Sequence, residues 1–381
     1  MPPSPSSRLA SIDQLRGTVM LLMLLDHVRE TFFLQHQVSD PMDAATVSPA
    51  LFACRLLAHL CAPVFVLLTG LSAWLYGEKH QGRGDVSAFL FKRGLFLVVL
   101  ELTLVNFAWT FQLPPDTLYL QVIWAIGLSM IALAGLLWLP RPALLVLAIA
   151  VVAGHNLFDG VRVQGNGLLA VLWKVLHQRD WIEAGALRLR TSYPVLPWIG
   201  VIALGYLMGP WFARERAPEQ RQRWLLWIGF GALALFALLR FANQYGDAPW
   251  SYQTTTLRTW LSIFNVTKYP PSLQFLLLTL GAGLVLLRLY EWPPLARALR
   301  PLADIGAAPM FFYLLHLYVL KGLYLAALAA WGPTHGGLYA LDSVSGLLLV
   351  ACVLAVVLYP PTRAFARFKA RRRDLPWLRY L

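Results

Sequence analysis

The sequence predicts an all-α protein: a polytopic membrane helical bundle of about ten transmembrane helices, with both termini cytoplasmic. Three observations lead there. The 381 residues are 58% hydrophobic and 13% charged, with 15 Trp and a mean hydropathy of +0.58, whereas soluble domains carry roughly 25% charged residues. The apolar residues fall in runs of about 17–25, the length that crosses a bilayer as a helix, and backbone in lipid must satisfy its own hydrogen bonds. Lys and Arg alternate between rich and poor connecting segments, the positive-inside pattern.

The expected spans lie at 14–34, 55–76, 88–110, 118–138, 141–157, 194–213, 222–241, 271–290, 304–330 and 338–360. Residues 1–12 read as a disordered cytoplasmic tail, 13–362 as the membrane domain and 363–381 as a basic cytoplasmic tail. With the N-terminus inside, the inner segments hold Arg8, Arg16, Lys79, Arg83, Lys92, Arg93, Arg141, "RERAPEQRQR", Arg288, Arg297 and Arg300, while the short outer loops 35–54, 111–117 and 331–337 contain no Lys or Arg. The net charge of +13 is thus topological. It calls for anionic lipid at the C-terminal tail and for no nucleic-acid partner. No small-residue cleavage site follows span 1, which reads as uncleaved. Cys54, Cys61 and Cys352 lack metal or disulfide spacing, and no fixed-period repeat divides the chain.

Span 1 carries "LLMLLDHVRE", where Asp26, His27, Arg29 and Glu30 interrupt an apolar run. Ionisable groups there cost several kcal/mol against lipid and mark function by default. Glu30, at i+3, is positioned to orient the His27 imidazole. Asp26 points about 100° away and suits a pairing with Arg29 or another helix. At 1.5 Å per residue His27 sits about 20 Å above the inner end.

Span 2 enters from outside through "CRLLAHLCAP", placing His59 near the outer face. Span 5 ends there in "AGHNLFDG", with His155, Asn156 and Asp159. Spans 6 and 8 enter through "TSYPVLPWIG" and "NVTKYPPSLQF", which add Tyr193, Lys268, Tyr269 and Ser272. Five segments therefore bring polar groups to one depth. Pro194, Pro197, Pro270 and Pro271 mark the first turns of spans 6 and 8, whose amides would point at this cluster and could stabilise an oxyanion. His36, His80, His177 and His335 lie in predicted loops and are expected to be solvated. No paired spacing such as HExxH supports a metal, so none is expected. "GLLAVLWKVLHQRDWI" reads as an amphipathic helix on the membrane surface.

The odd spans start inside. "FLFKRGLF" places Lys92, Arg93 and Gly94 near the start of span 3, and "RPLADIGAAPMFF" places Arg300, Gly306 and Pro309 near that of span 9. Free amides beside cations at a helix start form an anion site, here for a cytosolic phosphate-bearing ligand. His316, with Tyr313 on its face, lies near mid-membrane and implies a lined cavity or an interhelical hydrogen bond.

"RLASIDQLRGTVMLLMLLDH", "HLCAPVFVLLTGLSAWL", "KRGLFLVVLE", "VIWAIGLSMIALA", "YPVLPWIGVIALGYLMG", "NVTKYPPSLQFLLLTLG" and "GAAPMFFYLLHLY" together resemble the bacterial branch of the heparan-α-glucosaminide N-acetyltransferase catalytic-domain family. The resemblance runs in order from about Arg8 to the last span. It implies a transmembrane acyltransferase of the bacterial cytoplasmic (inner) membrane that moves an acetyl group from cytosolic acetyl-CoA to an amine or hydroxyl of an outer acceptor, a sugar or glycan. Eukaryotic members carry Asn where this chain has His27, and their catalytic His lies in the first outer loop, where the nearest is His36. The family thus leaves the catalytic role between His27 and His36, and the "LDH" pattern favours His27.

The expected catalytic group is His27 as general base or as acetyl carrier, with Asp26, Glu30, His59, His155 and Lys268 around it. Lys92, Arg93, Arg300, Gly306 and His316 are the expected donor-binding residues. A proton-coupled transporter with Asp26, His27, His59 and His316 as relay is the alternative. The acceptor and the oligomeric state are left open.

Overall fold

The computed structural model describes residues 10–36, 38–80, 82–372 and 374–380. Most of the expected N-terminal tail lies outside them. In chain order the helices are α1 (Ala10–Phe32), α2 (Pro49–Ala58), α3 (Cys61–Gly77), α4 (Arg83–Leu100), α5 (Asn106–Thr110), α6 (Val122–Leu136), α7 (Arg141–Gly154) and α8 (Leu168–Leu176). They continue with α9 (Leu196–Met208), α10 (Pro218–Ala242), α11 (Thr256–Phe264), α12 (Leu273–Leu289), α13 (Pro293–Ala298), α14 (Arg300–Gly306), α15 (Pro309–Trp331) and α16 (Val344–Arg371).

Helical segments coincide with all ten expected spans, span 2 being α2 plus α3 and span 3 being α4 through α5. Pro49–Gly77, Arg141–Phe158, Pro218–Ala242, Pro309–Trp331 and Val344–Arg371 are long and apolar enough to cross a membrane. The protein is an all-α membrane bundle. A π-helical turn, Glu101–Val105, joins α4 to α5. Such a turn holds one residue more than an α-turn and recurs at functional sites.

Small residues set the helix contacts, as close approach in lipid requires. A β-carbon on Gly306 would overlap the Asp13 carbonyl oxygen, and one on Gly17 the Leu302 carbonyl. Gly70 and Gly205 clamp α3 to α9 in the same way, against the Ile202 and Leu67 carbonyls. Gly306 therefore lets α14 approach α1 closely.

At one end of the bundle the loops knit together. Leu341 N–H donates to the Phe32 carbonyl at 2.8 Å. Arg258 donates to the Ala44 carbonyl at 3.0 Å, and Lys268 N–H to Asp40 at 3.1 Å. Arg240, 1% exposed, holds the 243–265 loop through the carbonyls of Ala248, Ser262, Ile263 and Asn265. Three short strands also lie here: β1 (Thr117–Leu120), β2 (Trp181–Ala184) and β3 (Leu187–Thr191), in the order β1-β3-β2. β1 is parallel and β2 antiparallel to β3, with both Tyr119 and Trp181 in register with Arg190. The amphipathic segment forms α8, with Leu168 and Leu169 more than three-quarters exposed.

Candidate active site

Helical spacing puts Asp26 and Arg29 one turn apart on α1, and burial forces them to pair. Asp26 Oδ1 accepts from Arg29 Nε and Nη2 at 3.0 and 2.9 Å. Arg55 of α2 adds a contact at 3.1 Å to Oδ2, and Lys268 Nζ stands 4.0 Å away. A buried carboxylate persists when cations offset its lost hydration. Lys268 also lies over the Tyr269 and Tyr193 rings, whose hydroxyls bond at 3.2 Å. Asp40, in the first loop, closes the group from above. Burial raises its carboxyl pKa, against the lowering effect of Arg55 and the Lys268 amide.

His27 faces another way. Its Nδ1 lies 2.7 Å from His316 Nε2, and His316 Nδ1 lies 2.7 Å from the Phe312 carbonyl oxygen. A carbonyl only accepts, so His316 Nδ1 carries a proton. In the neutral ring its Nε2 is then an acceptor and His27 Nδ1 the donor. His27 Nε2 is left with the free lone pair. Trp109 of α5 and Tyr313 of α15 meet the His27 ring edge-on, at 5.1 and 6.0 Å. Glu30 does not orient His27. Its carboxylate pairs with Arg29 at 3.0 Å, because the guanidinium already held by Asp26 lies within reach.

Above these groups opens a cavity of about 900 Å³. Trp109, Arg29, Glu30 and Arg55 form one side, and Arg179, Trp181 and Arg190 of the small sheet region the other. The lining mixes aromatic faces with side chains of both charge signs. Arg179 stacks on Tyr269 at 4.7 Å.

Other expected site residues stand apart. His59, 1% exposed, breaks span 2 between α2 and α3; neither of its ring nitrogens has a partner, and its ring meets Phe275. His155 pairs with His177 at 3.3 Å. His177, expected in solvent, is 3% exposed, packed at the end of α8 against Trp173. Ser272 is the N-cap of α12, accepting from Phe275 N–H and donating to Asp247. Leu273 and Gln274 amides are taken by Asn156 and Gly246, so this helix start offers no free oxyanion donors. Among the described residues, no hydrogen bond links Asp26 or His59 to the His27–His316 pair as a relay would need.

The expected donor site is also rearranged. α4 starts at Arg83, so Lys92 and Arg93 lie about two and a half turns inside it, not beside free amides. Lys92 is exposed and borders a groove of about 510 Å³ with Phe91 and Trp138. Arg93 turns inward with Nε unpaired, and Gly94 packs on the Gly127 carbonyl. Arg300 is exposed at the start of the separate seven-residue α14.

Sequence reasoning missed Glu101 and Trp109. Glu101, 0% exposed, caps α6 by accepting from Trp124 N–H at 3.0 Å, with Oε1 unpaired. A lone Glu inside an apolar run was the available signal. Trp109 lines the cavity with its indole N–H unpartnered; a Trp in a membrane span gives no such signal.

A family model described as the catalytic domain of heparan-alpha-glucosaminide N-acetyltransferase matches residues 8–241. No curated protein matches the chain.

Proposed function

Because this chain belongs to the heparan-alpha-glucosaminide N-acetyltransferase catalytic family, a family of transmembrane acetyltransferases, we propose that it acetylates an amine or hydroxyl of an extracytoplasmic sugar or glycan, with cytosolic acetyl-CoA as donor. The observation that carries the reading is the His27–His316 pair behind Trp109 at the cavity wall. A fixed tautomer gives His27 Nε2 a permanent lone pair, the requirement for a general base.

In the proposed reaction the acceptor nitrogen or oxygen attacks the thioester carbonyl carbon while His27 Nε2 takes its proton. The tetrahedral oxyanion receives a hydrogen bond from the unpartnered Trp109 N–H. As it collapses, the carbon–sulfur bond breaks and His27 returns the proton to the leaving thiolate. Asp26, Arg29 and Arg55 form a rigid wall beside the acceptor. Arg179, Trp181 and Arg190 hold its far side. The donor enters from the opposite end of the bundle, where Lys92 and Arg300 are exposed. The membrane is the cytoplasmic membrane of a bacterium.

Single-turnover transfer from labelled acetyl-CoA to a panel of amino sugars tests the reading. Wild-type protein should transfer label to at least one sugar and His27→Ala should not. Full transfer by His27→Ala would refute the assignment.

A further inference from the structure

The mechanism leaves unused a second polar cluster, formed by His155 at the end of span 5, Asp159 four residues on, and His177 at the end of α8. His155 Nδ1 and His177 Nε2 lie 3.3 Å apart, and His177 Nε2 lies 3.7 Å from Asp159 Oδ1. The ligand atoms of all three fall within 4.8 Å of one another. Two nitrogens bound tetrahedrally at about 2.0–2.1 Å from zinc stand about 3.3 Å apart. As a hydrogen bond, 3.3 Å is long.

Both histidines are more than nine-tenths buried. His155 Nε2 has no hydrogen bond of good geometry and faces the Pro271 carbonyl. The outer ring nitrogen of a metal-bound histidine commonly faces such a carbonyl. Asn156 Nδ2 donates to the other Asp159 oxygen at 2.8 Å, and Asn156 Oδ1 accepts from Leu273 N–H. Trp173 stacks on His177. Asp159 is about half exposed, which leaves room for a water as fourth ligand.

We infer that His155, Asp159 and His177 form a binding site for one divalent first-row cation, with zinc as the natural occupant of an N₂O donor set. The site is structural. It ties the end of span 5 to α8, and His177 stands two residues before Arg179 and four before Trp181, both of which line the cavity. The cation therefore anchors the outer wall of the cavity to the bundle, at a place the transfer chemistry does not touch.

The test uses full-length protein in detergent, purified without a histidine tag, stripped with chelator and titrated with zinc or cobalt(II). One equivalent should bind, cobalt should give the intense visible bands of a tetrahedral site, and zinc should raise the melting temperature. Asp159→Asn, which alters an exposed side chain and spares the fold, should weaken binding more than tenfold. Asn156→Ala should weaken it about 10–100-fold. His177→Asn should abolish the cobalt spectrum. If wild-type protein takes up no stoichiometric ion, or Asp159→Asn binds as tightly as wild type, the three side chains are a plain hydrogen-bonded group and the inference fails.

Discussion

His316 fixes the protonation pattern of His27 from another helix, across 289 residues of sequence. His316 is itself fixed by the Phe312 carbonyl, so donation runs one way, from His27 Nδ1–H through His316 to the Phe312 oxygen, and leaves His27 Nε2 free. Removing His27 deletes the proposed base, and acetyl transfer should fall by roughly 10²–10⁴-fold. His316→Ala should reduce kcat by a smaller factor and leave KM for acetyl-CoA near wild type, since it positions without touching substrate. His36 is exposed and its ring lies tilted against Phe33, so His36→Ala should retain transfer. Full loss in His36→Ala with activity kept in His27→Ala would reverse the assignment.

Asp26 balances Arg29 and Arg55, all three of them buried. Asp26→Asn keeps the shape and removes the charge. Breaking one side of a buried ionic group costs about 3–5 kcal/mol. The variant should therefore melt well below wild type in detergent, and an unchanged melting curve would show that the charge is not needed for folding.

The helix contacts are tested at glycines. Gly306→Ala and Gly205→Ala each place a methyl group on a backbone carbonyl of the neighbouring helix. Such overpacking should cost about 1–3 kcal/mol or more. Gly135, with nothing within 4 Å of a built β-carbon, is the control, and Gly135→Ala should melt at or above wild type. Equal melting of all three variants would mean that the close approaches relax freely.

Sidedness follows from the Lys and Arg distribution. With Cys352 replaced, Gly167→Cys should react with an impermeant thiol reagent on intact cells, and Ala217→Cys should react only after lysis. The opposite labelling would put the cavity on the cytoplasmic side and invert the proposed direction of transfer.

If Lys92 and Arg300 guide the donor phosphates, neutralising both should weaken CoA binding, measured by calorimetry, and leave the melting temperature unchanged because both are exposed. Charge-assisted hydrogen bonds contribute about 1.5–3 kcal/mol each, so a loss of about a hundredfold or more is expected when both are removed. Unaltered affinity would move the donor site elsewhere, with the half-buried Arg93 the next residue to change.

The membrane spans were legible because length and hydropathy act locally. The Asp26–Arg29 pair was legible for the same reason, being one helical turn apart. The partner of His27 was not, since no local pattern specifies which distant helix supplies the second imidazole. Lys92 and Arg93 read in the sequence as lying near a helix start because a charged pair sits at the edge of the long apolar run; hydrogen bonding carries α4 back to Arg83. Ser272 reads in the sequence as one more polar group of the outer cluster, because nothing local tells a capping serine from one that faces a ligand; the structure makes it the N-cap of α12. The strands are hard to read in the sequence because each has only four or five residues: β2 and β3 form one short hairpin, and β1 joins β3 from more than 60 residues away.

The π-turn at Glu101–Val105 makes span 3 a counted object. Everything after it is indexed by one additional residue. Deleting a single amino acid there, whatever its type, would let the turn close as ordinary α-helix and rotate the following segment by about 100°. Trp109 would then swing off His27, although hydropathy and span length would hardly change. Substitutions in this turn are a matter of chemistry, but a frame-preserving deletion of one codon is a matter of phase, and it would disconnect the cavity wall from the proposed base without altering either.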